Sequence, residues 1–244
     1  AAAGPGEARA MELQPVSYQA EGRSFAGFLA DGSGGRPAPG VLVVHEGGGL
    51  TGHVKERAAR LAGLGYVAYA MDLFGMAEFD FELAKAIVRA LRSDVAALRG
   101  RAGAALHVLA EHANVDSGRL AAIGFCFGGT AVIELARGGA DLRAVVGFHA
   151  GLTVGSAEDN RAIKGKLLLC LGADDPVVTF DQRTAFAEEM KAAGIDWQIH
   201  LYGGVGHSFT NREIDSWNLP GFAYDETADR RSWAAMRNLF EEAL

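Results

Sequence analysis

Apolar positions along this chain alternate between two rhythms. Short unbroken runs such as Gly40-Val41-Leu42-Val43-Val44-His45, Tyr66 to Leu73, Arg119 to Phe125, Arg143-Ala144-Val145-Val146-Gly147-Phe148-His149 and Lys166 to Leu171 have the length of strands buried on both faces. Ser24 to Leu29 and Trp197 to Tyr202 read as an early and a late strand. Between them the spacing turns helical. Val54 to Leu64 places Ala58, Leu61, Ala62 and Leu64 near one face, and Asp181 to Ala193 is closed by Gly194. Phe81 to Leu98 and Arg101 to His112 read as helices with a break expected at Gly100, and Thr227 to Ala243 as the last helix. Strands alternating with helices predict an α/β fold, a mostly parallel central sheet with helices on both faces. Ligands of such sheets bind beyond the carboxyl ends of the strands, so chemistry is sought in the residues that follow each strand.

One strand end stands out. Leu120-Ala121-Ala122-Ile123 runs into Gly124-Phe125-Cys126-Phe127-Gly128-Gly129 and then into the helical Thr130-Ala131-Val132-Ile133-Glu134-Leu135-Ala136. Strand, sharp turn and helix with small residues two before and two after the turn make a nucleophile elbow, with cysteine where serine is usual. A side chain at Gly124 or Gly128 would crowd the elements packed against the strained turn. A buried cysteine of the core needs neither glycine, and Cys170, inside Lys166-Leu167-Leu168-Leu169-Cys170-Leu171, reads as that kind.

Three further strand ends carry polar groups: His45-Glu46-Gly47-Gly48-Gly49, Gly172-Ala173-Asp174-Asp175-Pro176 and Gly203-Gly204-Val205-Gly206-His207-Ser208-Phe209. The order nucleophile, acid, histidine is that of α/β-hydrolases. A thiol is only slightly ionised at neutral pH, so a base must take its proton during attack, and His207 suits that task. A carboxylate would fix the imidazole tautomer and stabilise its cation. Asp174 and Asp175 compete for this place, and Asp175 is favoured because the following proline holds it extended. Phe127, the residue after the nucleophile, and Gly47, in the glycine-rich turn, are the expected oxyanion donors through backbone N–H. A phosphate loop is the other reading of Gly47-Gly48-Gly49, but no Gly-Lys-Ser/Thr follows. Glu46 should face the elbow, where its charge opposes thiolate formation while the helix start after Cys126 favours it. His149 is a candidate for lining the pocket, whereas His53, His107 and His112 read as helix or loop surface.

Net charge is −7 with acidic and basic residues interspersed, which argues against nucleic acid or an anionic membrane surface as a partner. No apolar run approaches the ~20 residues needed to span a bilayer. The length, 244 residues, suits a single α/β domain over 13–244 after a flexible segment, 1–12. Two cysteines, one nucleophile and one core, form no disulfide framework, so a cytoplasmic setting is the default. Ala1 to Ala10 could be a tag remnant, a start placed upstream of a true start at Met11, or the remainder of a cleaved leader, which would mean the periplasm.

These residues together resemble the dienelactone hydrolase family of α/β-hydrolases. The resemblance is carried by Val43-Val44-His45-Glu46, Gly65-Tyr66-Val67-Ala68, Asp72-Leu73-Phe74-Gly75, the Gly124–Gly129 elbow, Gly172-Ala173-Asp174-Asp175 and Gly206-His207-Ser208-Phe209, and it runs from about Val16 to the carboxyl end. The tail, Phe209-Thr210-Asn211 and Gly221-Phe222-Ala223-Tyr224-Asp225 through Asp229-Arg230-Arg231-Ser232-Trp233, resembles a bacterial branch. The resemblance implies a Cys126-His207-Asp175 triad, a Glu46 that sits beside the thiol at rest and then helps deprotonate it, and a small ester, lactone or enol-lactone as substrate, with no cofactor and no metal. Dienelactone hydrolases proper hold a substrate carboxylate with arginines. Here Asn211 stands in one expected place with Arg212 adjacent, which makes Arg212 the candidate, and Lys85 and Arg89 are looser ones. Relatives of the branch carry bulky aromatics after the glutamate where this chain has Gly47-Gly48, so a wider pocket is expected.

Two other classes compete. A redox-responsive thiol protein would use Cys126 without hydrolysis, but it lacks a resolving cysteine, and peroxide-driven thiol loss against ester turnover discriminates it. A non-catalytic binding module on the same fold would leave Cys126 indifferent to thiol reagents and esters alike. His45, Glu46, His149 and His207 form no ligand spacing that supports a metal. The oligomeric state, monomer or homodimer, is open.

Overall fold

The computed structural model describes residues 11–244. The flexible segment expected over 1–12 lies, for its first ten residues, outside them. Chain order runs through β1 (Leu13–Pro15), β2 (Tyr18–Ala20), β3 (Arg23–Phe25), β4 (Gly27–Asp31), β5 (Ala38–Val44), α1 (Gly52–Gly63), β6 (Val67–Met71), α2 (Phe81–Ser93), α3 (Val95–Ala110) and β7 (Val115–Phe125). It continues with α4 (Phe127–Arg137), β8 (Ala144–Phe148), α5 (Ala157–Arg161), β9 (Lys166–Gly172), α6 (Phe180–Ala193), β10 (Trp197–Tyr202), a 3₁₀ turn (Arg212–Trp217) and α7 (Glu226–Ala243).

An eight-stranded sheet in the order β1-β4-β6-β5-β7-β8-β9-β10 organises the molecule. From β6 to β10 neighbours are parallel, while β4 and β1 close one edge antiparallel. The period-two alternation of strands sends successive side chains to opposite faces. Leu42, Val44, Ala122, Val145, Leu167 and Leu169 pack under α3, α4 and α6. Val41, Val43, Ile123, Phe125, Val146 and Leu168 pack under α1 and α7. Burial on both faces is why the strands read as continuous apolar runs.

Two boundaries differ from the sequence reading. The strand expected from Ser24 to Leu29 is broken at Ala26, whose carbonyl accepts from the Asp72 N–H at 3.0 Å. The helix break expected at Gly100 falls at Asp94, which ends α2 and caps α3 by accepting from the Ala97 N–H at 3.0 Å. A side-chain cap satisfies an orphan N–H of the new helix, whereas an exposed mid-helix glycine only lowers propensity.

The glycines around the elbow are steric requirements. A Cβ on Gly124 would overlap the Gly128 carbonyl, and one on Gly128 would overlap the Val44 carbonyl. Gly100 faces open space. Gly124→Ala is therefore expected to destabilise the fold by about 3 kcal/mol, and Gly100→Ala to stabilise it by about 0.5–1 kcal/mol. Urea unfolding midpoints of the two variants check both signs.

Candidate active site

Five strand ends converge at one edge of the sheet. β7 ends in Phe125 and hands the chain to Cys126, which sits at φ 51° and ψ −114° before α4. A non-glycine residue in that region stores strain, and His149 after β8 (φ 40°) and Ser208 (φ 56°) share it within the same neighbourhood. Cys126 is half-buried, so its thiol faces the cavity at the start of α4 rather than the core. Phe127 is the first residue of α4, so its N–H has no intrahelical acceptor. Among the described residues the Gly47 N–H donates to no backbone carbonyl either.

His207 is fully buried between two rings. Phe222 packs edge-on against it with centroids 4.8 Å apart, and His149 does the same at 5.2 Å. Its Nδ1 lies 2.7 Å from Asp175 Oδ2. The other carboxylate oxygen, Oδ1, accepts from the N–H groups of Val177 at 2.7 Å and Val178 at 3.2 Å, so the acid is fixed in orientation. Asp174 is exposed and makes no such contact. Nε2 of His207 is buried without a hydrogen-bond partner among the described residues. Burial pulls this imidazole down, whereas Asp175 and an ionised Cys126 pull it up, so the ring holds a second proton readily once the sulfur has lost its own.

Glu46 is held by the segment after His207. Ser208 Oγ donates to Oε2 at 2.9 Å and Asn211 Nδ2 makes a short hydrogen bond to Oε1. The resemblance had placed this carboxylate against the thiol. In the structure it lines the same cavity as Cys126 but spends its hydrogen-bonding capacity on Ser208 and Asn211. Burial raises the Glu46 pKa, partly offset by those two donors. His45 anchors the backbone beneath it. Leu73 N–H donates to His45 Nε2 at 2.8 Å, which leaves the ring proton on Nδ1 to donate to the Glu46 carbonyl at 2.7 Å.

The cavity at Cys126 has a volume of about 340 Å³. Phe81, Val88, Phe127, Ile214, Trp217 and Phe222 make it apolar, and Lys85, Arg89 and Arg92 of α2 bring positive charge to one wall. Glycine at 48 does leave space, but Trp217 enters it: a Cβ on Gly48 would stand 3.4 Å from that ring.

Three expectations are corrected. Arg212 does not line the cavity; it is exposed, stacks over Tyr224 at 4.4 Å and lies 4.0 Å from Glu226. His149 is likewise not on the cavity wall but behind His207, with Nε2 2.9 Å from Thr210 Oγ1, and burial holds its pKa well below the ordinary value. His53, read as surface, is buried on α1 with Nδ1 3.6 Å from Glu46 Oε1. Arg92, Trp217, Ser208 and Asn211 were not read as site residues. Ser208 and Asn211 carried a local signal, their position directly after His207; Trp217 and Arg92 carried none. Cys170 is core, its thiol pushed up to about 12 by burial. Among the described residues no group of three or more His, Cys, Asp or Glu is arranged to hold a metal ion, and no helix is long and apolar enough to cross a membrane.

A strained elbow on a central parallel strand, with a histidine and an acid delivered from the next strand ends, defines the α/β-hydrolase class. The sequence profile of the dienelactone hydrolase family matches residues 25–244. The chain belongs to the dienelactone hydrolase family and is a hydrolase of the ester- and lactone-cleaving type. A probable 2-oxo-3-(5-oxofuran-2-ylidene)propanoate lactonase from Bradyrhizobium sp. is 28% identical over 229 residues, covering 89% of this chain and 89% of that protein. A carboxymethylenebutenolidase from Pseudomonas putida is 28% identical over 210 residues, covering 82% and 86%. The crystal structure of a dienelactone hydrolase-like promiscuous phosphotriesterase from metagenomic libraries superposes with a TM-score of 0.92 at 43% identity, covering 96% of this chain and 99% of that one.

Proposed function

We propose that this protein hydrolyses a small lactone, enol-lactone or ester through a thioester on Cys126, with His207 and Asp175 completing a triad and Glu46 governing the thiol. The observation that carries the reading is the 2.7 Å contact of His207 Nδ1 with a fully enclosed Asp175, which leaves the unpartnered Nε2 coupled to Cys126.

The substrate carbonyl oxygen enters between the N–H groups of Phe127 and Gly47. The Sγ proton passes to His207 Nε2 as the S–C bond forms, and the two N–H groups receive the oxyanion. The tetrahedral adduct collapses with cleavage of the C–O bond, and the departing oxygen takes the proton from Nε2. From a lactone the product stays tethered as a hydroxyacyl or ketoacyl thioester. Water then gives a proton to Nε2 and attacks the thioester carbonyl. Cleavage of the C–S bond returns that proton to sulfur and frees the carboxylic acid.

Glu46 makes the thiol conditional. Ionised, it favours the His207 imidazolium and opposes a free thiolate, so proton transfer proceeds only as the thiolate is consumed in attack. Protonated, it gives no such support, and activity falls on the acid side. An apolar cavity with Lys85, Arg89 and Arg92 on one wall supports a substrate with a small apolar body and an anionic group. The anionic lactone in the name of the Bradyrhizobium relative is of that chemistry.

Acid quench during turnover of a slow aryl ester is expected to leave the peptide containing Cys126 heavier by the acyl group. Full turnover with no adduct on Cys126, even in a burst-phase sample, would sink the covalent route.

A further inference from the structure

We infer that His53 is a positioning residue for Glu46, presenting a neutral Nδ1–H to its carboxylate in a tautomer that Arg57 sets. The inference rests on the reading of Glu46 as the carboxylate that acts on Cys126.

Hydrogen-bond capacity decides the tautomer. Arg57 Nε lies 3.3 Å from His53 Nε2. A guanidinium has donors and no acceptor, so Nε2 must be the bare nitrogen and the ring proton must be on Nδ1. Thr210 Oγ1, 3.3 Å from the same Nε2, can only add a second donor there. A doubly protonated ring would set two N–H groups against each other at Nε2, so the ring is neutral. Burial and the neighbouring Arg57 and Arg60 charges outweigh the opposing pull of the Thr210 backbone and hold its pKa down at about 3. Among the described residues Nδ1 has no hydrogen-bond partner, and it stands 3.6 Å from Glu46 Oε1.

Arg57 is itself fixed. Its Nη2 donates to Asp229 Oδ2 at 2.9 Å and to the Thr210 carbonyl at 2.7 Å. The ring of His53 is held edge-on against Phe125, the residue before the nucleophile, with centroids 4.6 Å apart. A chain therefore runs from Asp229 on α7 through Arg57 and His53 on α1 to Glu46, its first three members lining a cavity separate from the one at Cys126. Every member is buried. The other charged groups around it are His45, His207 and Cys126 near Glu46, His149 through Thr210, and Glu56, Arg60, Arg212 and Glu213 around the polar cavity behind His53. None of these supplies a donor to Oε1. Ser208 serves Oε2 and Asn211 serves Oε1, and the His53 Nδ1–H, 3.6 Å from Oε1, adds a third dipole that favours the ionised carboxylate and its orientation toward them.

Removing a donor to a carboxylate raises its pKa. His53→Leu is expected to move the acid limb of kcat/KM for a neutral aryl ester upward by about one pH unit. His53→Asn, which keeps an N–H near the place of Nδ1, is expected to return it most of the way. Glu46→Gln, measured alongside, should lack that limb. If Glu46→Gln keeps the limb, the reading of Glu46 fails and takes His53 with it. If Glu46→Gln loses the limb while His53→Leu leaves its midpoint in place, the positioning role alone fails. The wild-type enzyme supplies a test that needs no stable variant. Its ¹⁵N imidazole spectrum should show His53 protonated at Nδ1 and bare at Nε2 across pH 5–8 (about the range in which an ordinary histidine titrates). An Nε2–H tautomer or an imidazolium in that range overturns the inference.

Discussion

Replacing Cys126 with alanine is expected to lower kcat/KM for ester hydrolysis by at least about ten-thousand-fold with the fold intact. The thiol is the only atom lost, it faces the cavity, and alanine inherits the same backbone, so thermal unfolding should shift little. The second readout is His207. Burial pulls its pKa down, whereas an ionised Cys126 and Asp175 pull it up, so the imidazolium is favoured only once the sulfur has given up its proton. With the sulfur gone that upward pull is lost, burial gains ground, and the pKa falls. Steady-state kinetics and an NMR titration of His207 in both proteins check the two effects. Retained hydrolysis in pure Cys126→Ala would sink the mechanism. An unmoved His207 titration would mean that the thiol and imidazole are not coupled.

Asp175→Asn is expected to cost roughly a thousand- to ten-thousand-fold in kcat/KM, and the reason is again a tautomer. Oδ1 of Asp175 accepts from the Val177 and Val178 N–H groups, so an asparagine must put its carbonyl oxygen there. Its amide N–H₂ then faces His207 Nδ1, which has to become an acceptor. The ring proton moves to Nε2, the nitrogen that should receive the thiol proton. Imidazole ¹⁵N spectra distinguish this from simple misfolding, because the expected signature is a switch from Nδ1–H to Nε2–H. Activity within tenfold of wild type would show that Asp175 does not orient the base.

Much of the architecture was legible because it is written in local chemistry. The parallel sheet followed from apolar runs too continuous for one-sided burial. The elbow followed from glycines that a chain needs only where a strand turns sharply into a helix against another strand. Choosing Asp175 over Asp174 needed only the following proline. Assigning the helix break to Gly100 instead of Asp94 failed because a cap competes with propensity, and the cap is the stronger effect.

Side-chain direction was not legible. Arg212 and Asn211 are neighbours in sequence, yet Asn211 turns in to Glu46 and Arg212 turns out to Glu226. His53 sits on an amphipathic helix with nothing beside it in sequence to mark it, and its partners, Glu46, Thr210 and the Arg57–Asp229 pair, come from distant segments. Trp217 fills the space opposite Gly48 from nearly the other end of the chain.

The sequence by itself determined the α/β architecture, the cysteine elbow and the acid and histidine that follow it, because strand burial, steric room for a turn and chain order are local or one-dimensional properties. The tertiary structure alone decided where Glu46 spends its hydrogen bonds, which cations reach the cavity, and that His53 stands behind the carboxylate. Those depend on which groups meet in space when burial makes an unpaired polar atom costly, and spacing along the chain does not encode that meeting.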